Sequence, residues 1–251
     1  MSATVPVNAN TSAVVLAAGK GTRMGSDLAK VLHPLAGRPL IAHVLDTCRA
    51  LGVGQAVVVV GWQRERVEEA VRPWKPTCVL QDRQLGTGHA VLATQSSVRG
   101  EVVLVLCGDC PLTPPALLQE VLTKHARTGA SCTGVAARMQ DPTGYGRMIT
   151  DAASRLVGIV EHKDASPDQR AIDLVNSGIY AFRRADLFRC LAKVRPQNAQ
   201  GEYYLTDVVA MLVAEGEPVE LVVTDDVASV LGVNTPADLA TAERLRAGRA
   251  P

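Results

Sequence analysis

The sequence has few aromatic residues: two Trp, four Tyr and two Phe occur among its 251 residues. Proteins that hold single-stranded nucleic acids stack the bases on aromatic side chains, and this sequence has too few of them to do so. It also has no excess of one charge, because 26 Lys and Arg face 25 Asp and Glu. A nearly neutral chain gives no electrostatic reason to expect a polyanionic or membrane partner. We therefore predict neither nucleic-acid nor membrane binding.

Long apolar runs are also missing. The longest, over residues 56–61, has the length of a strand, whereas crossing a bilayer takes about 20 apolar residues. The first twelve residues are polar and lack the basic start and apolar stretch of a signal peptide. The six cysteines are scattered, and a chain that can bury a full core does not need disulfides. These absences favour a cytoplasmic protein with reduced cysteines.

Apolar strand-like runs alternate with helix-period segments through the first half of the chain. We predict strands over 13–17, 56–60, 78–80 and 102–106, and helices over 39–51, 63–71, 89–97 and 114–127. Such alternation is typical of a mostly parallel sheet covered by helices on both faces. The predicted fold class is therefore α/β and Rossmann-like.

After residue 130 the pattern becomes less regular and richer in turns. We predict strands over 133–137, 156–161, 175–182 and 219–223, and helices over 203–215, over 185–193 and from 235 onward. The chain has no linker or internal repeat, so we predict one domain, 1–251, with two lobes. The first lobe takes about 12–130 plus 217–250, and the second, about 131–216, is an insertion over the strand ends where open sheets bind ligands.

The most informative segment is the glycine-rich stretch 16–25, LAAGKGTRMG, directly after the first predicted strand. Glycines let backbone N–H groups approach phosphate oxygens. A P-loop does not match, because a glycine separates the lysine from the threonine. The dinucleotide fingerprint matches in part, but it needs an acidic residue after the second strand, where this chain has Gly-Trp-Gln. That fingerprint also does not explain the crowding of Lys20, Arg23 and Lys30, which suits a nucleoside triphosphate better; a plain surface turn is the remaining alternative.

The stretch LAAGKGTRM, with Lys30 in DLAKVLHPLAG, resembles the opening motif of sugar-1-phosphate nucleotidyltransferases. More narrowly, it resembles the uridylyltransferase domain of the bacterial bifunctional enzymes that form UDP-N-acetylglucosamine. Further motifs follow in order as far as Asn234: QDRQLGTGHA, GDCPL, DPTGYGR, EHKDA, NSGI, NAQGEYYLTD and GVN. The resemblance implies a glycosyltransferase-A-like version of the Rossmann-like fold, in which the second lobe binds the sugar.

The resemblance assigns residues to both substrates. Without it, residues 81–87 would be a polar loop before a helix, and Glu161 and Asn176 ordinary surface residues. An amide, a glycine and a hydroxyl can together read the edge of a pyrimidine, an ionised Glu161 accepts from sugar hydroxyls, and Asn176 can donate and accept. Cys107 stands in place of an aromatic residue of the family, and Ala29 in place of a proline. The implied nucleotide-binding residues are Leu16, Ala17, Ala18, Gly19, Gln81, Gly86, Thr87 and Gly108, and the implied sugar-binding residues are Gly146, Glu161, Asn176 and Cys107.

Asp109, directly after the most apolar predicted strand, suits Mg²⁺, which takes one or two protein oxygens beside substrate phosphates and water. The resemblance implies Asp109 and Asn234 as the two ligands; from the sequence alone, Asn234 is more typical of a turn before a helix. We expect both to follow the ends of strands that neighbour each other in the sheet. We also expect Asp109→Asn to leave thermal stability unchanged or slightly raised, because an unpaired carboxylate contributes little to the fold.

Cys107 and Cys110 form a C-x-x-C motif around Asp109. A structural zinc site would need a second Cys or Cys/His pair at suitable spacing, and the sequence has none. A thioredoxin-type motif would need a context that the glycine-rich loop contradicts. The sequence alone therefore favours neither use of the motif.

The resemblance implies the reaction UTP + N-acetyl-α-D-glucosamine 1-phosphate → UDP-N-acetylglucosamine + diphosphate, which feeds cell-envelope precursors. The acceptor is already an ionised phosphate, so catalysis needs positioning and charge neutralisation rather than a protein nucleophile. Lys30 would stabilise charge on the α-phosphate, and Arg23, with Lys20 as a further candidate, the departing diphosphate. Two alternatives remain. One is the same transfer with another sugar phosphate or nucleotide, but the motif EHKDA favours the hexosamine. The other is a nucleotide-binding sensor without catalysis, which the presence of Lys30, Asp109 and Asn234 together makes less favoured.

The enzymes of this family usually continue into a β-helix of hexapeptide repeats, which acetylates glucosamine 1-phosphate and builds a trimer. No six-residue repeat precedes Pro251 in this sequence. We therefore expect no acetyltransferase activity and a mainly monomeric protein.

Overall fold

The computed structural model describes residues 8–248, so most of the polar start of the chain and its last three residues lie outside the described part. None of the helices within this range is long and apolar enough to cross a bilayer. The strands are β1 (Thr11–Ala17), β2 (Pro34–Leu35), β3 (Arg38–Pro39), β4 (Gln55–Val60), β5 (Thr77–Leu80), β6 (Val102–Cys107), β7 (Cys132–Arg138), β8 (Arg147–Thr150), β9 (Leu156–Val160), β10 (Leu174–Arg183) and β11 (Val219–Thr224). The helices are α1 (Leu40–Leu51), α2 (Arg64–Val71), α3 (Thr87–Leu92), α4 (Pro115–Thr128), α5 (Pro167–Arg170), α6 (Arg184–Leu191), α7 (Asp207–Ala214) and α8 (Pro236–Ala247).

The central sheet has the strand order β11-β7-β10-β6-β1-β4-β5. Strands β6, β1, β4 and β5 run parallel, with Val15 of β1 beside Val58 on one side and Leu106 on the other. β10 runs antiparallel to both β6 and β7, β11 is parallel to β7, and β8 and β9 extend the sheet from β10. This topology confirms the prediction of a mostly parallel sheet, and the division into two lobes stays a prediction.

Helices cover both faces of the sheet, as the sequence predicts. Successive residues of a strand point to opposite faces. Val15 and Leu104 therefore pack on one face with α1, α2 and α4, while Val14 and Val105 pack on the other with α3, α6 and α7. The carboxyl ends of β1 and β6 meet at one edge of this layered core, which positions the loops that follow them.

Several elements differ from the sequence-based expectation, and the short elements β2, β3 and α5 were not predicted. α3 begins two residues earlier than predicted and ends at Leu92, with turns after it. α7 begins at Asp207 instead of 203, because Tyr203 and Leu205 form hydrogen bonds with residues 85–88 instead of within a helix. The N–H of Tyr203 donates to the Leu85 carbonyl, its carbonyl accepts from the N–H of Gly88, and the N–H of Leu205 donates to Oγ1 of Thr87. β8 was not predicted, since its four residues have no clear alternation and pair only within the sheet extension and with β10.

Candidate active site

The glycine-rich loop after β1 turns sharply and brings Lys30 back to the end of the strand. Gly21 has φ +71°, and a side chain there would place its Cβ 2.5 Å from the Cβ of Lys30. Residues Thr22–Met24 then form a single 3-10 turn, which ends at Gly25. Glycine at position 21 therefore lets the aliphatic part of Lys30 pack directly on the loop backbone.

Four side chains that the resemblance assigns to catalysis and metal binding lie in contact. The ammonium of Lys30 forms an ion pair with Oδ2 of Asp109, and its Nζ lies 3.0 Å from Oδ1 of Asn234. Arg23 Nη2 donates to the same Asn234 oxygen at 3.0 Å. The side chains of Lys30 and Asp109 are only 21% and 11% exposed. We call Arg23, Lys30, Asp109 and Asn234 the charged cluster.

The charge of Lys30 is maintained by its partner. Burial by itself would lower the pKa of the Lys30 ammonium, but the Asp109 carboxylate, as a charge and as a hydrogen-bond acceptor, more than offsets burial and raises that pKa. Lys30 is therefore a cation at neutral pH. An ammonium in this largely buried position can contribute strongly to binding a phosphate group.

Asn234 reaches Asp109 by a route that the sequence did not predict. Asp109 follows β6, but the nearest strand before Asn234 is β11, which lies at the far edge of the sheet. The expectation that both residues follow neighbouring strands is therefore wrong. A loop makes the connection instead: the N–H of Val233 donates to the carbonyl of Asp109 at 2.9 Å, and the amide nitrogen of Asn234 donates to the Gly232 carbonyl at 3.0 Å. These bonds direct Asn234 Oδ1 toward Lys30.

The oxygens of the charged cluster suit a hard divalent cation. Asp109 Oδ2 and Asn234 Oδ1 both contact the Lys30 ammonium, so they converge on a point that already holds a positive charge. One carboxylate and one amide oxygen match the few protein ligands that Mg²⁺ takes when phosphates and water complete its shell. The residues present therefore fit the predicted metal, and the assignment of Asp109 and Asn234 as its ligands stays a prediction.

The backbone positions implied for the nucleotide lie beside one another. The N–H of Gly108 donates to the carbonyl of Leu16 at 2.9 Å, which joins the end of β6 to the end of β1. Ala17 and Ala18 are buried, whereas a Cβ at Gly19 would meet no atom within 4 Å. The loop therefore leaves the core at Gly19, where its backbone faces open space.

Lys20 lies apart from the charged cluster. Its ammonium is 4.5 Å from the ring centroid of Trp62, which is 37% exposed. A cation–π contact at an exposed site contributes about 0.5–1 kcal/mol, little enough for a phosphate to compete with it. A phosphate role for Lys20 stays a prediction.

Gln81 is placed at the end of β5, with only 4% of its surface exposed. Its Nε2 donates to the Gly86 carbonyl at 3.1 Å and lies 3.1 Å from Nδ1 of His89. These contacts fix the amide plane and use its donor side. The carbonyl side of the amide is then the side suited to accept from a base N–H.

The loop at Gly86 packs against the segment just before α7. Gly86 has φ +111°, and a Cβ there would lie 2.7 Å from the carbonyl oxygen of Tyr203. The N–H of Leu205 donates to Oγ1 of Thr87 at 3.2 Å, which leaves the Thr87 hydroxyl hydrogen available to a ligand. Only glycine fits at position 86, because both the backbone angle and the space exclude a side chain.

The residues implied for the sugar also lie together. The N–H of Asn176 donates to the Gly146 carbonyl at 2.9 Å, and a Cβ on Gly146 would lie 3.3 Å from Oε2 of Glu161. Oδ1 of Asn176 accepts from the hydroxyl of Tyr180 at 2.6 Å and from the N–H of Gly178 at 3.0 Å. The expectation that Asn176 bonds a ligand in both directions therefore needs correction: with its oxygen occupied, Asn176 offers mainly its amide hydrogens.

Glu161 is held by Thr206, whose hydroxyl donates to Oε1 at 3.3 Å. Burial raises the pKa of the Glu161 carboxyl, and the Thr206 hydrogen bond opposes the rise only in part; the charges of Asp164, Asp207 and Glu202 raise it further. A carboxyl in such surroundings gains from hydrogen-bond donors such as sugar hydroxyls.

Cys107 lies between the two groups of residues. Its sulfur is 3.9 Å from the carbonyl oxygen of Gly178, at the irregularity in the pairing of β10 with β7 between Asn176 and Tyr180. Asp109 of the charged cluster lies two residues after Cys107 in the chain. The position implied for a sugar contact is therefore adjacent to Asn176, although the residue is not aromatic.

Three residues around the site were not singled out from the sequence. Tyr180 orients Asn176, Thr206 holds Glu161, and Trp62 contacts Lys20. Thr206 lies within the motif NAQGEYYLTD, and Trp62 lies two residues after β4, where a nucleotide-binding residue was considered. The positions of both residues in the sequence therefore indicated that they could lie near the site. Tyr180 gave none, because its ring belongs to the apolar core and nothing in the sequence indicates where its hydroxyl points.

Comparison with known proteins gives a family match. Residues 13–173 match the model of the MobA-like NTP transferase domain. That segment covers the glycine-rich loop, the end of β6 and Glu161.

Curated proteins are similar over nearly the whole chain. The "Bifunctional protein GlmU" of Desulfotalea psychrophila is 45% identical over 239 residues, which are 94% of this chain and 70% of that protein. The protein of the same name from Pelobacter propionicus is 45% identical over 94% of this chain and 52% of its own length, and that from Heliobacterium modesticaldum is 46% identical over 92% and 51%. The chain thus spans about half the length of most of these relatives.

A solved structure shares the fold. The crystal structure of UDP-glucose pyrophosphorylase complexed with UDP-glucose matches with a TM-score of 0.75 at 16% identity, over 96% of this chain and 99% of that one. At this identity the likeness concerns the fold alone, and it confirms the predicted Rossmann-like nucleotidyltransferase architecture.

Proposed function

The chain belongs to the family of MobA-like NTP transferases, and from this premise we propose that it transfers the uridylyl group of UTP to N-acetyl-α-D-glucosamine 1-phosphate. A phosphate oxygen of the sugar phosphate forms a bond to the α-phosphorus of UTP. The bond from that phosphorus to the bridging oxygen breaks, and diphosphate leaves. The nucleophile is already ionised, so no protein base is needed.

The observation that carries the proposal is the charged cluster at the end of β1 and β6. Lys30 and Arg23 bring two cations to one point beside the glycine-rich loop. In the proposed complex Lys30 contacts the α-phosphate, where charge develops during displacement, and Arg23 contacts the departing diphosphate. A divalent metal, Mg²⁺ in the proposal, held by Asp109 and Asn234 would neutralise charge on the phosphate oxygens.

The choice of a pyrimidine nucleotide is supported by the pocket at Gln81 and Thr87. A buried carboxamide with its donor side occupied presents an acceptor, which suits the N3–H of uracil. Thr87 can donate its hydroxyl hydrogen to a base carbonyl. Uracil presents an acceptor, a donor and an acceptor along one edge, so this pair of groups discriminates it from cytosine, which lacks the N3–H.

The choice of an acetamido sugar is supported by Asn176 and Glu161. The amide hydrogens of Asn176 suit the carbonyl of an acetamido group, and the Glu161 carboxylate suits a sugar hydroxyl. A sugar without the acetamido group would leave the Asn176 donors unpaired, at a cost of about 1–3 kcal/mol. We therefore expect kcat/KM for glucose 1-phosphate to be about ten- to a hundred-fold lower than for the acetamido sugar.

The test is a diphosphate-release assay with the full chain, Mg²⁺ and a panel of substrates. The panel pairs UTP or CTP with N-acetylglucosamine 1-phosphate, glucosamine 1-phosphate or glucose 1-phosphate. We expect turnover to be highest with UTP and the acetamido sugar. Absence of turnover with every hexosamine 1-phosphate would refute the assignment, and UTP binding without product under any metal would favour the sensor alternative.

A further inference from the structure

A second set of ligand atoms adjoins the charged cluster. Cys107, Asp109 and Cys110 each offer one ligand atom, and these three atoms lie within 4.8 Å of one another. The sulfur of Cys110 lies 4.0 Å from Oδ1 of Asp109, whereas Lys30 contacts the other carboxylate oxygen. We call Cys107, Asp109 and Cys110 the thiol cluster. The proposed reaction does not use it as a unit.

The thiol cluster is built by the turn that follows β6. The N–H of Cys110 donates to the carbonyl of Cys107 at 3.2 Å, which folds the two side chains toward each other. Cys110 is buried and Cys107 half-buried, and both are free of disulfide bonds. Backbone geometry, and not chance contact on a mobile surface, therefore holds the three ligands together.

The spacing suits a tetrahedral metal ion. Such an ion, with metal–sulfur bonds of about 2.3 Å, holds its ligand atoms roughly 3.5–3.8 Å apart, so the cluster would have to contract by about 1 Å at its widest. Thiolates select soft or borderline cations, whereas Mg²⁺ prefers oxygen. The sequence has no second Cys or Cys/His pair for a zinc site, but in the structure Asp109 supplies a third ligand atom beside the two sulfurs, and water can take the fourth position.

We propose that the thiol cluster is a binding site for a thiophilic divalent cation of the Zn²⁺ type. The cation replaces the two S–H protons, which pass to solvent, and forms two metal–sulfur bonds and one metal–oxygen bond without any transfer of electrons. Two thiolates and one carboxylate carry three negative charges against two positive ones. The remaining charge is balanced by the Lys30 ammonium beside Asp109.

Sharing of Asp109 gives the site a regulatory consequence, which rests on the proposed function. A carboxylate held by Zn²⁺ in the thiol cluster is not available to Mg²⁺ together with Asn234. Zn²⁺ should therefore inhibit uridylyl transfer in competition with Mg²⁺. Binding of Zn²⁺ itself does not depend on what reaction the protein catalyses.

Cobalt provides a direct test, because Co²⁺ bound by thiolates in a tetrahedral site absorbs visible and near-ultraviolet light. The reduced full chain is titrated with Co²⁺ in metal-free buffer, and then with Zn²⁺ or excess Mg²⁺. We expect the thiolate bands to saturate at one Co²⁺ per chain, to be bleached by Zn²⁺ and to persist with Mg²⁺. In Cys107→Ser and Cys110→Ser the apparent affinity should fall at least about a hundred-fold, since even hydrogen-bond partners of metal ligands are worth ten- to a hundred-fold.

The matched control is Cys78→Ser, which removes a half-buried cysteine from β5. It should titrate like the unaltered chain. Circular dichroism checks that each variant is folded. If Cys110→Ser does not fold, the Co²⁺ titration of Cys107→Ser, which replaces the half-buried cysteine, decides whether the thiol cluster binds metal. Thiolate bands that are absent at stoichiometric Co²⁺, that survive both cluster substitutions, or that are lost in Cys78→Ser would overturn the site.

The regulatory consequence has its own test in the diphosphate-release assay, with each rate referred to the same variant without Zn²⁺. Cys110→Ser should require at least about ten-fold more Zn²⁺ for half-inhibition. Equal sensitivity of Cys110→Ser and the unaltered chain would overturn the inhibitory role. If no substrate turns over at all, the proposed function fails, and the Co²⁺ titration still decides whether the thiol cluster binds metal.

Discussion

Replacing Asp109 by asparagine tests the ion pair with Lys30 and the metal assignment separately. The substitution keeps the shape and one oxygen of the side chain but removes its charge, so the Lys30 ammonium loses its counter-ion in a place where it is only 21% exposed. The sequence alone predicted that stability would hold or rise. The structure reverses that expectation, because Asp109 is paired.

The expected loss follows from how far the pair is buried. Removing one partner of a fully buried ion pair costs about 3–5 kcal/mol, whereas exposed pairs contribute about 0–1 kcal/mol. The Lys30–Asp109 pair lies nearer the buried limit, and asparagine still accepts a hydrogen bond, so we expect a loss of about 2 kcal/mol in the free energy of unfolding. For a chain of this size that corresponds to a fall in Tm of about 4–8 °C.

The measurement is thermal and urea unfolding in buffer containing a chelator, so that no metal occupies the site. The double variant Lys30→Met/Asp109→Asn removes both charges and should recover most of the stability. Glu68→Gln is the matched control, since the exposed pair of Arg64 with Glu68 should change stability by less than about 0.5 kcal/mol when broken. A single variant as stable as the unaltered chain would refute the reasoning about the pair.

The same variant tests the metal assignment through turnover. Asp109 is the only anionic residue of the predicted Mg²⁺ ligands, so we expect Asp109→Asn to lower kcat by on the order of a hundred-fold or more. The rates are compared at limiting Mg²⁺ and saturating UTP. Near-normal turnover under these conditions would show that the cations of the glycine-rich loop act without this carboxylate.

Three further predictions concern other parts of the fold. Gly86→Ala should lower stability by about 3 kcal/mol in urea unfolding, against about 1 kcal/mol for the control Gly201→Ala, because both have positive φ but only Gly86 lacks space for a Cβ. Burial, with the charge of Arg183, lowers the pKa of His125 from 6.5 to about 4. Between these pH values the folded state binds fewer protons than the unfolded state, so the free energy of unfolding should fall by up to about 3 kcal/mol as pH drops from about 6.5 to about 4. A His125→Asn variant should lose this pH dependence of stability. Asn176→Asp keeps the acceptor for its two internal hydrogen bonds but loses the amide donors, so KM for N-acetylglucosamine 1-phosphate should rise about ten-fold or more with little change in Tm; an unchanged KM would remove Asn176 from the sugar site.

The strands and helices that form the layered core could be predicted from the sequence. β1, β4 and β6 are short apolar runs bounded by turn residues, and α1 and α4 have apolar stripes that end at Gly52 and Gly129 in the left-handed conformation. Periodicity reports local burial, and these elements are buried in a regular way. The start of α7 differs from the prediction because Tyr203 and Leu205 form hydrogen bonds with residues 85–88, which are distant in sequence, and no local pattern carries that information.

The candidate site could be predicted only in part. The glycine-rich loop and its cations are visible in one stretch of sequence, but Asn234 lies 204 residues from Lys30 and gave no local signal. The resemblance implies its role, and the expected position after a neighbouring strand is wrong. Hydrogen bonds within a loop position it instead, among them the bond from the Val233 N–H to the Asp109 carbonyl, and no residue pattern specifies these bonds.

The separation of Lys30 from Asn234 has a consequence for how the molecule is made. A ribosome adding about 5–20 residues per second needs roughly 10–40 s to pass from one residue to the other, since they are 204 positions apart. Asp109 is added 79 positions after Lys30. From then until Asn234 is added, the nascent chain contains both Lys30 and Asp109, so the acidic side chain has its counter-ion before the last side chain of the charged cluster exists. Arg23 likewise cannot form its hydrogen bond to Oδ1 of Asn234 until that residue has been added. The charged cluster is thus completed only after the strands of the described sheet, which end with β11 at Thr224, have been synthesised.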